Sequence, residues 1–201
     1  MDSKFKYSNL ASFASKDDNF LGRKYPYSSS KYRGEYQRDR DRIIHCNSFR
    51  RLKFKTQVFV YYEGDHFRTR LTHSLEVSQI ARSVARCLSL NEDLSEALSL
   101  AHDLGHTPFG HAGEDALANC LNNDFFDHNI QSLRILLLLE DTYDQHSGLN
   151  LSINCIDGLL KHNGHVVNSD AYKNQLPEIF NYNSKFFTKR ESRGSNKLIV
   201  R

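Results

Sequence analysis

The thirteen residues His102-Asp103-Leu104-Gly105-His106-Thr107-Pro108-Phe109-Gly110-His111-Ala112-Gly113-Glu114 carry three imidazoles and two carboxylates. That donor mixture suits borderline-to-hard divalent cations with open coordination positions, whereas thiolates would select softer ones. His102 and Asp103 are adjacent, so on a helix their side chains diverge by about 100°. They can share an ion only over the edge between them, with another element completing the shell. His73, on a separate predicted helix, is the expected completing ligand. Such an ion lowers the pKa of a water and polarises a phosphoryl oxygen, so hydrolysis of a phosphate ester is the natural chemistry.

His111 and Glu114 are three residues apart and become neighbours once a helix has begun. A carboxylate there holds the imidazole tautomer and makes the ring a usable proton donor near neutrality. His106 lies on the same loop and would face a substrate. A single histidine near a helix end is more often a cap or a core residue; the clustering reverses that reading here. Arg70 and Arg68 precede His73 and either bind phosphate through the guanidinium fork or remain solvated charges. His128, in Phe126-Asp127-His128-Asn129, either reaches a phosphate or caps the following helix. His45, His66, His146, His162 and His165 take a structural reading by default.

The elements that must position these groups are helical. With 201 residues, 39% hydrophobic and 25% charged, the chain can bury one ordinary core. A formal charge of +3 tolerates a phosphate-bearing ligand but falls short of a dedicated nucleic-acid binder. Cys46, Cys87, Cys120 and Cys155 form no close pair, so reduced thiols are expected rather than a disulfide framework or a zinc knuckle. No apolar stretch has the length of a membrane span, and the amino-terminal residues lack a signal-peptide pattern, so a cytoplasmic protein without membrane association is expected.

Residues 1–30 read as an arm with little core of its own, 31–170 as the core domain and 171–201 as a divergent tail. The charges from Tyr32 to Arg42, followed by Ile43, Ile44, Phe49 and Leu52, suit an amphipathic helix. Gln57 to Tyr62 predicts a short strand or an extended loop. From Thr72 to Leu90 a stripe of Leu75, Val77, Ile80, Ala81, Val84, Cys87 and Leu88 predicts a helix with His73 in its first turn. A second helix from Leu94 ends at Gly105, placing His102 and Asp103 in its last turn. Pro108 and Gly110 predict an irregular loop before a helix that starts near Gly113. Asn129–Glu140 and Leu151–Lys161 complete the set, the latter closed by Gly164. The fold class is all-α, five or six helices with at most a short β segment near 57–62.

The blocks Arg40-Asp41-Arg42-Ile43-Ile44-His45, Phe49-Arg50-Arg51-Leu52, Lys55-Thr56-Gln57-Val58-Phe59, Arg68 to Val77, the His102–Glu114 run and Lys161-His162-Asn163-Gly164 together closely resemble the deoxyguanosinetriphosphate triphosphohydrolase-like branch of the HD-domain superfamily. The resemblance covers roughly residues 38 to 165. It implies an all-helical, metal-dependent fold that splits a deoxynucleoside triphosphate into deoxynucleoside and triphosphate by attack at the α-phosphorus. By position, it implies His73, His102 and Asp103 as ligands of a divalent ion such as magnesium or manganese. His111 with Glu114 matches the catalytic histidine and its acidic partner. Arg70, His106 and His128 fall where the family contacts phosphates, and Gln57 where it contacts the sugar and base. Self-association into a homo-oligomer is implied as well.

One departure stands out. The family's fourth metal ligand is an aspartate within an Ala-Asp-Asp-Ile-Ala-Tyr-like segment, and no such segment occurs before Arg201. The expectation is truncation or a frame-shifted end, with Asp157 or Asp170 as improvised substitutes and weak or absent hydrolysis by this polypeptide alone. The alternative functions are an HD phosphodiesterase acting on another phosphate ester, and a non-catalytic remnant that binds nucleotide or single-stranded nucleic acid without turnover.

Overall fold

The computed structural model describes residues 9–121 and 126–162. Within them seven helices run in chain order: α1 (Glu35–His45), α2 (Asn47–Arg51), α3 (Arg70–Cys87), α4 (Glu92–Ala101), α5 (Gly110–Cys120), α6 (His128–Arg134) and α7 (Ile153–Leu160). No strand occurs among the described residues. The 57–62 region is a loop with a 3-10 turn at Tyr61–Glu63, and Thr56 makes an isolated antiparallel bridge to Thr69. The fold is all-α, and the extended-loop alternative holds for 57–62.

The helix expected to run through Ile43 and Ile44 toward Leu52 breaks at Cys46. Its backbone there is extended, and its Sγ accepts the Phe49 N–H at 3.4 Å as the cap of α2. The buried Glu140 carboxylate adds to that cap by accepting the N–H groups of Asn47 (3.2 Å) and Ser48 (2.7 Å). A negative charge at a helix start is favourable, and this one arrives from a residue over ninety positions away, beyond the reach of local pattern.

Helix α4 is buried on nearly every side, from Asp93 through Ala101, which is the signature of a central helix. It packs against α1, α3 and α7. Ile43, Leu52, Leu100, Leu104, Ile130, Leu133, Leu136, Leu149, Leu151 and Leu159 meet around it as the core. Helix α3 faces α4 with Ser74, Ser78, Ala81 and Ala85, small side chains that let the two backbones approach closely. The large aliphatic stripe expected to be its core face is turned outward: Leu75, Ile80, Val84 and Leu88 are all exposed.

The segment before α1 is fastened to the bundle. The Arg23 side chain is fully buried and pairs with Asp39 of α1; it also donates to the Asn150 carbonyl (2.9 Å) and to Glu35 (3.0 Å). Asp39 in turn accepts from Ser152, the cap of α7. Through Arg23 this segment ties α1 to α7.

Helix α6 continues into a π-helical turn at Ile135–Leu139. Helix α7 is closed by Lys161, and Gly164 lies outside the described residues. No helix among the described residues is long and apolar enough to cross a membrane.

Candidate functional site

His73 stands one turn into α3. Helix α4 ends at Ala101, so His102 and Asp103 sit on the turn that follows it. That turn is clamped from two sides. Gly105 donates its N–H to Ser132 Oγ at 2.8 Å, and a Cβ at Gly105 would lie 2.1 Å from the His128 carbonyl oxygen. Only glycine permits this approach of α6. From the other side Lys55 Nζ donates to the carbonyls of Leu104 (3.2 Å) and His106 (2.7 Å).

Ligand atoms of His73, His102 and Asp103 lie within 4.8 Å of one another. His102 Nε2 is 3.2 Å from Asp103 Oδ1, and His73 Nε2 is 3.8 Å from Oδ2. His102 Nδ1 lies 2.6 Å from the Ser99 carbonyl, which can only accept, so Nδ1 carries the proton and Nε2 offers its lone pair inward. Burial lowers the His73 pKa and keeps that ring neutral, the form a metal requires. Burial alone would raise the Asp103 pKa, but His102 and then Arg70 outweigh it and hold the carboxyl below its ordinary value. Two imidazoles and one carboxylate fit a divalent cation with open positions.

Arg70 is committed to this carboxylate. Its Nη1 donates to Asp103 Oδ2 at 3.0 Å, and its Nη2 donates to the Gln57 backbone carbonyl at 3.3 Å. Its Nε is buried without a partner. Gln57 therefore reaches the site through its main chain. Gly110, at the start of α5, packs on both: a Cβ there would meet Arg70 Nη2 and the Gln57 carbonyl at 3.4 Å each.

A second group adjoins the first. Phe109 and Gly110 both take the left-handed conformation (φ 66° and 62°), which lets α5 begin at Gly110, three residues before the expected Gly113. His111 and Glu114 consequently share a helical face, with His111 Nδ1 3.1 Å from Glu114 Oε2. Glu114 also holds His128, at 2.9 Å from Nδ1 and 2.8 Å from the backbone N–H. His128 is thus bound at the start of α6, whose cap is Asp127. His106 stacks flat on His128, with centroids 3.8 Å apart, and its Nε2 lies 3.6 Å from Asp103 Oδ1, so it bridges the two groups. Burial, then His128 and Arg70, push the His106 pKa down to about 3, so the ring is neutral at physiological pH. Burial works to raise the Glu114 pKa, but its bonds to His128 outweigh that and keep it ionised.

His162, read from sequence as structural, stands edge-on to His102 with centroids 5.4 Å apart. Its place in Lys161-His162-Asn163-Gly164 was the available signal. Asp157 pairs with Lys161 along α7 and is not among the converging ligand atoms; Asp170 and Asn163 lie outside the described residues.

Residues 70–174 match the HD domain family. The chain is 64% identical over 161 residues to the deoxyguanosinetriphosphate triphosphohydrolase-like protein of Pelagibacter ubique, covering 80% of this chain and 42% of that protein. To the protein of the same name from Parvibaculum lavamentivorans it is 59% identical over 169 residues, 83% of this chain and 42% of the relative. To that from Bartonella quintana it is 53% identical over 183 residues, 90% and 46% respectively. The chain therefore spans less than half the length of these relatives.

Proposed function

The chain belongs to the HD domain family, and from that premise we propose that it carries the catalytic core of a metal-dependent hydrolase that cleaves a deoxynucleoside triphosphate, of the dGTP type, into deoxynucleoside and triphosphate. The observation that carries the reading is the junction of the two groups: His73, His102 and Asp103 converge, and His106 links them to the His111–Glu114–His128 relay. The names of the relatives support the substrate class.

His73, His102 and Asp103 would hold the ion, which when bound supplies Lewis acidity toward a phosphoryl oxygen. The three donors among the described residues leave positions open for ligand, and turnover is expected to need manganese or magnesium. His106 and His128 present imidazole edges to the phosphates, and Arg70, with one N–H each of Nη1 and Nη2 given to Asp103 and Gln57, keeps its unpartnered Nε and a second N–H on each Nη for an anionic group. Gln57 borders the sugar. Water attacks the α-phosphorus, the bond to the 5′ oxygen breaks, His111 as imidazolium gives that oxygen a proton from Nε2 while Glu114 holds Nδ1–H, and the proton released by the attacking water returns the ring to its starting state.

A product assay on the purified 201-residue chain with manganese tests the reading. Deoxynucleoside and intact triphosphate are expected, with the reaction lost in His111→Ala. Release of monophosphate and pyrophosphate, or a rate no higher than that of His102→Ala, would contradict it.

A further inference from the structure

We propose that His106, His111, Glu114 and His128 form a second cation site, suited to zinc and its borderline neighbours, and that an ion there switches off the His111–Glu114 pair. The inhibitory part rests on the function proposed above; the binding part stands on geometry alone. One ligand atom from each of the four residues lies within 4.8 Å of the others. The distances from Glu114 to His128 Nδ1 (2.9 and 3.0 Å) and to His111 Nδ1 (3.1 Å) are already close to a coordination polyhedron. A tetrahedral ion with bonds of about 2.0–2.1 Å separates neighbouring donors by about 3.3 Å. An ion can therefore replace the protons shared with Glu114 while the distances from Glu114 to His111 and His128 change by only a few tenths of an ångström.

His106 is the independent indication. It is over nine-tenths buried, and its Nδ1 has no hydrogen-bond partner. A buried polar nitrogen left in this way is costly unless something binds it. The ring lies flat on His128, with planes 13° apart and centroids 3.8 Å apart. Glu114, His111 and His128 hence form the site, and His106 closes it by tilting, giving up no hydrogen bond at Nδ1.

Three imidazoles and one carboxylate favour zinc, cobalt or nickel over magnesium. The two groups thus differ in selectivity. The first, with two imidazoles, one carboxylate and the Arg70 cation against Asp103, takes the working ion, and the second takes the inhibitory one. An ion at Nδ1 of His111 removes the Glu114 hydrogen bond that sets the ring's tautomer and makes the ring a poor proton donor.

Equilibrium dialysis of zinc against the full chain tests this. The unsubstituted protein is expected to bind two equivalents, and His111→Ala/Glu114→Gln one. His73→Ala/His102→Ala is also expected to keep one. Fewer than two equivalents in the unsubstituted protein, or two retained by His111→Ala/Glu114→Gln, would overturn the proposal. Two retained by His73→Ala/His102→Ala would instead remove the first centre and leave the second standing. A measurement free of substitutions accompanies it: ring resonances of His106, His111 and His128 should shift together with zinc and remain in place with magnesium. Unmoved resonances at two equivalents of zinc would likewise overturn the site. In the assay with manganese filling the first group, one equivalent of zinc should slow turnover at least tenfold.

Discussion

Arg70 Nη1 lies 3.0 Å from Asp103 Oδ2, with both side chains about 4% exposed. The guanidinium is thus the fixed counter-charge of a buried carboxylate at the centre of the His73–His102–Asp103 group. Removing one partner of such a pair leaves an uncompensated charge, a loss of about 3–5 kcal/mol. Arg70→Met should lower the stability measured by urea unfolding by about that amount, and Arg70→Lys by less. Saturating divalent cation should restore part of the loss, because it supplies the missing positive charge. An Arg70→Met protein as stable as the parent would show that the pair contributes nothing.

Gly105→Ala tests the clamp on the His102–Asp103 turn. The added methyl group would overlap the His128 carbonyl at 2.1 Å and the Ser132 amide at 2.3 Å, both backbone atoms. Overpacking of this kind costs about 3 kcal/mol or more. The expected result is a large fall in melting temperature together with weakened manganese binding. Unchanged metal affinity would mean that the turn does not depend on α6 for its position.

Acid should destabilise the protein, beginning well above the carboxylate range. His73, His106 and His162 have pKa values lowered by burial, so the unfolded chain takes up their protons first as pH falls below about 6.5. Stability is full above that pH and is lost as pH falls toward the folded values, about 3 for His106. Each such proton contributes a slope of about 1.4 kcal/mol per pH unit. Asp103 and Glu114, also lowered, add stability above their unfolded pKa values that is lost as pH falls toward the folded ones. Urea midpoints should drop from pH 7 to pH 5, and His106→Asn should flatten the slope. A midpoint that holds steady or rises over that interval would be the wrong sign.

Glu114→Gln separates orientation from metal binding. The carboxylate holds His111 and His128 at Nδ1, and an amide cannot accept both protons with the same charge. The rate should fall about a hundredfold, with His111→Ala at least as severe, within the range of general acid–base contributions. KM should change little, and the manganese content should stay at the parent level in both variants. Parallel loss of metal and rate would assign Glu114 to the ion instead.

Much of this was legible because local chemistry set it. Gly105 after Asp103 marked the end of the α4 segment, and the three-residue spacing of His111 and Glu114 forecast their pairing. The apolar stripe of α3 misled because periodicity assigns large aliphatics to the core. Here Ser74, Ser78, Ala81 and Ala85 face α4, while Ile80 and Val84 point outward. The α5 start was misplaced because Phe109 adopts positive φ, which a non-glycine residue seldom signals. Cys46 as a cap and Glu140 as its distant support follow from tertiary packing. So does the tie from Arg23 to Asp39, which residues 9–30 alone could not reveal.

The central claim is that His73, His102 and Asp103 together hold one divalent ion. Manganese titration of the full chain, followed by electron paramagnetic resonance, tests it most directly. One site is expected in the unsubstituted protein and in His111→Ala, and none in His73→Ala/His102→Ala. Equal manganese binding in all three proteins would contradict the account.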